Sequence, residues 1–566
     1  MTIIFNIPQK TFSVFPDGIE ILCEGYVLPR NSIFHEYAQY HDERLIFELF
    51  KTHSWDFIHQ VKGVFWIIIK SPDKTVVYND RLGLKKLFYR KDSEGITFSN
   101  QIEKLLNSES LKLDTSTLAI KTLLNREIGS DTIFDNIHST AAASELVFEN
   151  GKLHNGTYWS PDALLQKTDE KYNIAYFEQL IKDNIQNLKQ YFNPEDYSIT
   201  LTGGKDSRTG LCALMNLGIK PIGVTYGDAA SKDAVFAKKV AKAAEIEHHV
   251  FAMPKEEKTI EQTIQQLVAH KNPTINIHRA HRYFAFQQLG KISSQKQLYM
   301  AGYMAGELLM GIYYDDTVFP NFLTDIWEQK STLTQEVIQS KLDAYFMKSE
   351  SKNLTEIKQK LQRLKTLDLS KGIYEAQLHG IFELGIPHHG QDIFLSHTIL
   401  DYPYPFFLDI DFIDALFQSK YSFKFTDNKT KNLVQRYKLY AFNLQLQHRL
   451  FPKLSKVPFA KKGNYTTKDY LRGSLIWSAV KVFNFTKDRK KYPPSFVYNQ
   501  AYTNFVKKQL EIIQRDTQHN IHKIYDVAGA LKQLDQSALL TQEKYWHRYT
   551  NIISTYLYFN AIKHEG

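Results

Sequence analysis

The sequence predicts an α/β protein in two parts: a strand-rich N-terminal region of sheets covered by helices, then a larger region built on a parallel sheet. Three observations carry this. From residue 1 to about 160, short alternating or apolar runs recur between polar turns, the pattern of strands. From about residue 197, apolar β-branched runs alternate with helical segments, which calls for parallel strands joined by right-handed crossovers. The length, 566 residues, exceeds one typical core, so two or three domains are expected.

Composition narrows the class. Apolar content of 43% and charged content of 23% are those of a soluble globular protein. The net charge of +9 is modest for the length. Basic residues thicken only between Lys420 and Arg515, as on a solvated face, so no nucleic-acid partner is expected. Cys23 and Cys212 have no spacing suited to zinc or a disulfide framework, which fits a reducing compartment. The start, MTIIFNIPQK, lacks the basic and apolar regions of a signal peptide. The most hydrophobic run, Val64 to Ile69, is too short to cross a bilayer. A cytoplasmic protein without a membrane partner is the expectation, and a homodimer stays open.

In chain order, strands are predicted at Ile3 to Phe5, Ile19 to Leu22, Val64 to Ile69, Thr75 to Tyr78, Lys86 to Tyr89 and Ile96 to Phe98. Helices are predicted around Asp42 to Thr52 and Ser99 to Ser108. A polar stretch at Ser160 to Asp169 divides a first domain, 1–165, from a second, 166–566. A helix from about Tyr172 to Tyr191 leads into the strand Ser198 to Leu201, a Gly203-Gly204 turn, and a helix opened by Asp206-Ser207 and stopped at Gly218. Pro221 to Gly227 is a second buried strand, followed by a helix through Asp233, Ala237, Val240 and Ala241. Gln297 to Gly302 is the third. Residues 315–380 form a helical insertion with apolar residues at helical spacing (Val337, Leu342, Phe346; Ile357, Leu361, Leu364), either structural or substrate-covering. Past about 470 the pattern is amphipathic helix.

The chemistry concentrates in Tyr197 to Asn216. A strand feeding a helix through glycines converges backbone N–H groups at the positive end of a helix dipole, where phosphate oxygens bind. The glycines let the backbone approach, and Asp206 can hold a magnesium bridging the phosphates.

This stretch resembles the pyrophosphate loop, S-G-G-x-D-S, of the ATP pyrophosphatases, with Thr202 for the first serine and Lys205 at the variable position. The resemblance implies ATP contacts from Leu201, Thr202, Gly203, Gly204, Lys205, Asp206 and Ser207, and an adenine-lining strand end at Val224, Thr225 and Tyr226. Ser231 and Asp233 match the S-x-D that follows, though they serve equally as helix caps.

A second resemblance is to the glutaminase domain of asparagine synthetases. It rests on Val61-Lys62-Gly63-Val64-Phe65, on Asn79-Asp80-Arg81-Leu82-Gly83-Leu84-Lys85-Lys86-Leu87-Phe88-Tyr89, and on Phe98-Ser99-Asn100-Gln101-Ile102, in the family's order. It implies an Ntn-hydrolase-like sandwich followed by a HUP-like parallel-sheet domain with added helices. The family's nucleophile is a cysteine after the initiator methionine; here position 2 is Thr2, and the N-G-E-I-Y-N signature is missing near Gly25-Tyr26. The first domain is therefore expected to keep the fold without hydrolysing glutamine.

After the third strand, Gly302, Ala305 and Gly311 match G-E-G-A-D-E-x-F-G-G, Tyr303 matches the β-lactam synthetase branch, and Glu307 matches the second acid. The family's aspartate, its second magnesium ligand, is Gly306 here. Two readings stay open: Asp206, the nucleotide and Glu307 suffice, or the site no longer turns over. Asp401 to Asp409 resembles E-x-R-x-P-F-L-D on the substrate side of the cleft. Lys431 to Arg436 resembles K-x-L-L-R, and Lys456 matches the lysine of K-x-x-F, which offsets charge as an adenylate forms and breaks.

The family implies an ATP- and Mg2+-dependent, AMP-forming amide ligase with catalytic candidates Lys456, Tyr303 and Glu307, nucleotide contacts that include Gly302, and Asp206 as metal ligand. Its partners would be small-molecule or peptide carboxylates and amines. Ligation of the β-lactam synthetase or lasso-peptide cyclase kind, or a non-catalytic nucleotide scaffold, remain alternatives.

Overall fold

The computed structural model describes every residue except 1, 94, 107–111, 167, 295, 313–325, 328–332, 349–350, 425–428, 461–463, 488–491, 494–499, 537–542 and 564–566. The first domain is a sandwich of two sheets. Strands β1 (Thr2–Phe5), β6 (Phe88–Lys91), β7 (Gly95–Ser99) and β8 (Ile137–Ser139) form a four-stranded sheet in the order β1-β7-β6-β8. Strands β2 (Ser13–Phe15), β3 (Ile19–Pro29), β4 (Val61–Lys70), β5 (Lys74–Asn79), β9 (Ser144–Glu149) and β10 (Lys152–Thr157) form an antiparallel sheet of six, ordered β10-β9-β5-β4-β3-β2.

Alternation along the strands explains the layering. Leu22, Trp66, Ile68 and Val77 point from the larger sheet into a core shared with Tyr89, Ile96 and Phe98 of the smaller. Ile21, Ile67, Ile69 and Val76 point the other way, into the core that holds Leu45, Ile46 and Leu49 of the helix Asp42–His53. Burying such a pair of faces is worth about 25 cal/mol per Å2 of apolar surface, the main term holding the sandwich. Gly63 of the first motif is required by geometry: its φ is 141°, and a Cβ there would stand 2.1 Å from the Tyr26 carbonyl oxygen on the facing strand. Asp80 of the second motif folds the turn behind β5, accepting N–H bonds from Leu82, Leu84 and Lys85 at 3.0–3.1 Å. Burial pushes its carboxyl up to about 6 against the pull of those amides.

The second domain is built on five parallel strands, β11 (Asp196–Thr200), β12 (Ile222–Tyr226), β13 (His248–Phe251), β14 (Gln297–Ala301) and β15 (Tyr402–Pro405), in the order β13-β12-β11-β14-β15. The helix entering it, Ile174–Phe192, starts where Asn173 accepts the amides of Ala175 and Tyr176. Chain order runs outward from β11 on one side and resumes on the other with β14, so the strand order reverses between β11 and β14. In such sheets ligands sit at that reversal, outside the carboxyl ends of the strands.

Two strands of this sheet escape the sequence reading. β13 is a four-residue edge strand, half-buried throughout and half histidine, so it shows no apolar run. β15 carries Pro403 and Pro405, which a sheet tolerates only at its edge. The segment expected to line the substrate cleft, Asp401 to Asp409, supplies this edge strand and then the cap of the helix Ile410–Phe417, where Asp409 accepts the amides of Asp411 and Phe412. The expected helix over Ser99 to Ser108 is one short turn, Ile102–Leu105, and its last residues lie outside the described ones.

The domains are joined by charge. Lys62 is buried, with its ammonium 2.8 Å from Asp409 and 2.9 Å from Asp411. Arg30 reaches Asp411 and Asp414, both at 2.7 Å, and Arg81 reaches Asp414 at 2.9 Å. The described part of the 315–380 insertion packs on the first domain. Its helix Ser351–Leu361 bonds through Glu356 to Ser116 and through Lys360 to Asp114. Among the described residues, no helix is long and apolar enough to cross a membrane.

Candidate active site

The glycine loop leaves β11 at the reversal point. Leu201 still pairs with the sheet, its N–H 2.7 Å from the Val224 carbonyl. Thr202 and Ser207 then tie the loop to itself: the Thr202 N–H donates to Ser207 Oγ, and the Gly204 N–H donates to Thr202 Oγ1, both at 3.1 Å. The loop helix, Asp206–Asn216, begins immediately, and the amides of Asp206, Ser207 and Arg208 have no acceptor within it. These amides and the helix dipole make one electropositive point at the carboxyl end of the sheet.

Each glycine has a distinct reason. At Gly203 a Cβ would stand 2.3 Å from Ala460 Cβ and 2.7 Å from Phe236 Cβ. At Gly302 it would press on Ser207 N at 3.1 Å, so β14 can approach the loop helix only through a glycine. Gly204 faces the other way: among the described residues only Thr202 Oγ1 lies within 4 Å of its added Cβ, leaving that flank of the loop open.

Asp206 stands in the first turn of the loop helix, half-buried. Its Oδ2 is 3.8 Å from where a Cβ of residue 306 would be, so the loop acid and Gly306 face each other, and a second acid there is missing. Glu307, half-buried in the first turn of the short helix Ala305–Met310, follows directly. Among the described residues no group of three His, Cys, Asp or Glu side chains is disposed to hold a metal. One carboxylate beside an electropositive turn still suits magnesium, which keeps its waters and takes its remaining oxygens from a ligand such as phosphate.

The long helix Lys429–Leu450 supplies contacts that the sequence reading missed. Asn443 donates to Asp206 Oδ1 at 3.2 Å. Gln447 donates to the Lys205 carbonyl and to Thr209 Oγ1, both at 2.9 Å. Tyr440 lies under Lys205, whose Nζ is 2.7 Å from the ring centroid. Positions 440, 443 and 447 share one face at helical spacing, a polar stripe that was the available signal. Arg208, fully buried, bonds the carbonyls of Val457 and Pro458 at 2.7 and 3.1 Å and thereby sets Ala460 against Gly203. Burial brings the Arg208 guanidinium down to about 10. Lys456, on the turn Pro452–Lys456 just before this segment, is exposed to solvent.

At the base-side strand end, Val224 is buried and Thr225 donates to the Leu201 carbonyl at 2.6 Å while bonding His248 Nε2 at 2.8 Å. Tyr226 is half-exposed, with the Arg282 guanidinium 5.9 Å from its ring centroid. Tyr303 is buried and stacks on His389 with ring centroids 5.0 Å apart. Burial, then the nearby Tyr226, push its phenol well above the usual range. Behind His389, Arg279 forks Asp392 at 2.8 and 2.9 Å and reaches His388 Nε2 at 2.8 Å; Arg282 bonds the same carboxylate. Ser231 caps the helix Lys232–Ala244 through the Ala234 amide.

In the first domain, Thr2 stands exposed at the start of β1. Next to Gly25-Tyr26, Glu24 is held by Lys85 and by Asn100 Nδ2, each at 2.7 Å.

Residues 31–159 match a family described as a glutamine amidotransferase domain. The chain is also 21% identical over 179 residues to "Asparagine synthetase [glutamine-hydrolyzing] 3" of Bacillus subtilis (strain 168), covering 31% of this chain and 29% of that protein. The match thus spans less than a third of the relative's length. These matches, over less than a third of the chain, support the resemblance to asparagine synthetases that the motifs carry. Similar solved structures include the glutamine-dependent NAD+ synthetase of Acinetobacter baumannii in complex with ADP, at 14% identity and TM-score 0.20, covering 47% of this chain and 63% of that one. Another is the glutamine phosphoribosylpyrophosphate amidotransferase of B. subtilis complexed with ADP and GMP, at 8% identity and TM-score 0.19, covering 62% and 75%. Overlaps of this size carry no weight, and the fold rests on the sheet order itself.

Proposed function

We propose that the protein is an ATP-dependent, AMP-forming ligase that makes an amide bond through an acyl-adenylate and does not draw its nitrogen from glutamine. The observation that carries this is the glycine loop Thr202–Lys205 at the strand-order reversal, opening a helix whose first residue is Asp206. The amides of that turn would bind the nucleotide's phosphates, and Asp206, which accepts from Asn443, would hold a magnesium ion that supplies positive charge to them. A substrate carboxylate oxygen attacks the α-phosphorus, the bond to the β-phosphate breaks, and pyrophosphate leaves with the electron pair. An amine then displaces AMP from the acyl carbon and loses its proton. Arg279 and Arg282 share the single Asp392 carboxylate, and the one net positive charge they leave behind Tyr303 favours an anionic acyl substrate on that side of the cleft.

Independence from glutamine is supported by the missing N-G-E-I-Y-N signature beside Gly25-Tyr26, where Glu24 pairs with Lys85 and Asn100. Whether the amine is ammonia or part of the same molecule, as in β-lactam or lasso-peptide ligation, turns on the substrate. A second reading, a nucleotide-binding scaffold without turnover, is motivated by Gly306 and Thr2.

The test is pyrophosphate release from ATP and Mg2+ with pools of carboxylates, supplied with either ammonia or glutamine. Release with ammonia, none above background with glutamine, and a loss of 100-fold or more in Asp206→Asn, on the order of 3 kcal/mol of transition-state stabilisation, are expected. Nucleotide binding without release would favour the scaffold, and absence of binding would sink both.

A further inference from the structure

We infer that the cleft between the two domains at Lys86 and Gln391 is a binding site for a free α-amino acid: Lys86, beside Arg126, takes the carboxylate, and Gln391 with Glu127 takes the ammonium. The site shares no residue with the glycine loop and does not rest on the nucleotide reading. The first observation is room. The cleft offers water centres about 60 Å3, several times the roughly 10–15 Å3 that one water needs. The turn behind β5 and the stretch after the helix Thr115–Leu124 form its wall from the first domain, and the helix Ile386–His397 forms much of its wall from the second. Exposed Gly129 lies among its lining, where the cleft meets solvent.

The second is what the walls leave unmet. Lys86 makes no hydrogen bond or ion pair among the described residues, and burial lowers its ammonium against the pull of Glu127 and Asp80. Those acids are already engaged: Glu127 lies 3.1 Å from the Lys121 ammonium, and Asp80 holds the amides of its own turn. On the facing wall Gln391 is buried and donates through Nε2 to the Asn125 carbonyl at 2.9 Å, a bond that fixes which end of the amide is oxygen. Its Oε1 has no donor among the described residues. A desolvated ammonium and a desolvated amide oxygen each gain from a partner of opposite character. Arg126, which bonds the Leu124 and Leu384 carbonyls and reaches His388 Nδ1 at 3.3 Å, adds positive charge to the first domain's wall.

The third is the mixture of signs. Lys86 and Arg126 share the lining with Glu127 and with Asp131, which pairs with Arg363. A simple anion would meet the acids and a simple cation the bases, whereas a zwitterion satisfies both. Positions 387, 390, 391 and 394 line the cleft from one face of their helix, and His389, which stacks on Tyr303, lies on the other. A bound amino acid thus sits one helix away from the candidate active site.

The experiment titrates the full chain by calorimetry with each of the twenty proteinogenic amino acids, without nucleotide or Mg2+, so its outcome is independent of the ligase reading. Binding at one per chain is expected for one or a few of them. For the tightest, the matching amine without the carboxylate and the matching acid without the amine should each bind about 10-fold or more weaker. Lys86→Met and Gln391→Leu should each weaken that amino acid by a similar factor, and Lys86→Arg, which keeps the charge, should lie closer to the wild type. Melting temperatures check that the variants fold; if they do not, the comparison of amino acid, amine and acid on the wild type decides alone. No binding by any of the twenty up to about 10 mM would mean a cleft that holds water only and would overturn the inference. So would an acid that binds as tightly as its amino acid, the mark of a site for simple anions, or folded variants that bind as the wild type does, which would place the amino acid elsewhere.

Discussion

A methyl group added at Gly203 would stand inside the van der Waals radius of both Ala460 and Phe236, neither of which is the end of a flexible side chain. Gly203→Ala is therefore expected to push the 457–460 segment off the loop, lowering stability by about 1–3 kcal/mol and nucleotide affinity with it. Urea melts and a binding titration check both. Gly204→Ala, whose added methyl would meet only Thr202 Oγ1 among the described residues, at 3.0 Å, should cost binding more than folding. The residues of the loop were legible because they are consecutive and each acts through its own backbone. Asn443, Gln447 and Arg208 were not, because their partners lie some 240 residues away in sequence and only the packing of two helices brings them together. Thr225 was legible as a strand-end residue, but its hydroxyl already serves the sheet through Leu201.

The helix Thr115–Leu124 shows how a single cap connects distant parts of the chain. Asp114 accepts the Thr117 amide at 2.9 Å and pairs with Lys360 of the inserted helices. Against the burial that would raise it, Lys360 and the cap bonds hold its carboxyl at about 2. The unfolded value is near 3.9, so between about pH 4 and 2 the unfolded chain binds more protons. The stabilisation is thus complete above about pH 4 and lost as pH falls through 2. Asp114→Asn keeps a capping residue but removes the charge. It should cost about 1 kcal/mol at pH 7, after allowance for the partly solvated pair, and the gap to wild type should narrow toward pH 2 in denaturant melts. At this scale the sequence showed β11, β12 and β14, where apolar runs are buried on both faces. It hid β13 and β15, because edge strands need neither continuous apolar residues nor every amide.

For the whole molecule, the join between domains is a row of basic side chains from the first domain set against Asp409, Asp411 and Asp414 of the second. Lys62 is the most enclosed; burial alone would lower its ammonium, but Asp409 and Asp411 raise it above its usual range. Lys62→Met removes the cation and leaves the buried Asp409 carboxylate without its ion pair while Asp411 keeps Arg30, an expected loss of about 3–5 kcal/mol. Differential scanning calorimetry should then show the domains melting in two steps; a single transition at the wild-type temperature would contradict this account of the join. The two-domain plan was legible because each domain repeats its own pattern, whereas Lys62 gave no sign of spanning them. It sits inside a motif whose glycine and apolar neighbours are explained by β4 alone.

The central claim is that the turn at Thr202–Arg208 holds the phosphates of a nucleotide. The most direct measurement is a crystal structure of the full chain with α,β-methylene-ATP and Mg2+. The account predicts β- or γ-phosphate oxygens at about 3 Å from the amides that open the loop helix, with one cation on Asp206. A triphosphate lodged elsewhere on the chain, or phosphates kept out of that turn by its own side chains, would contradict it.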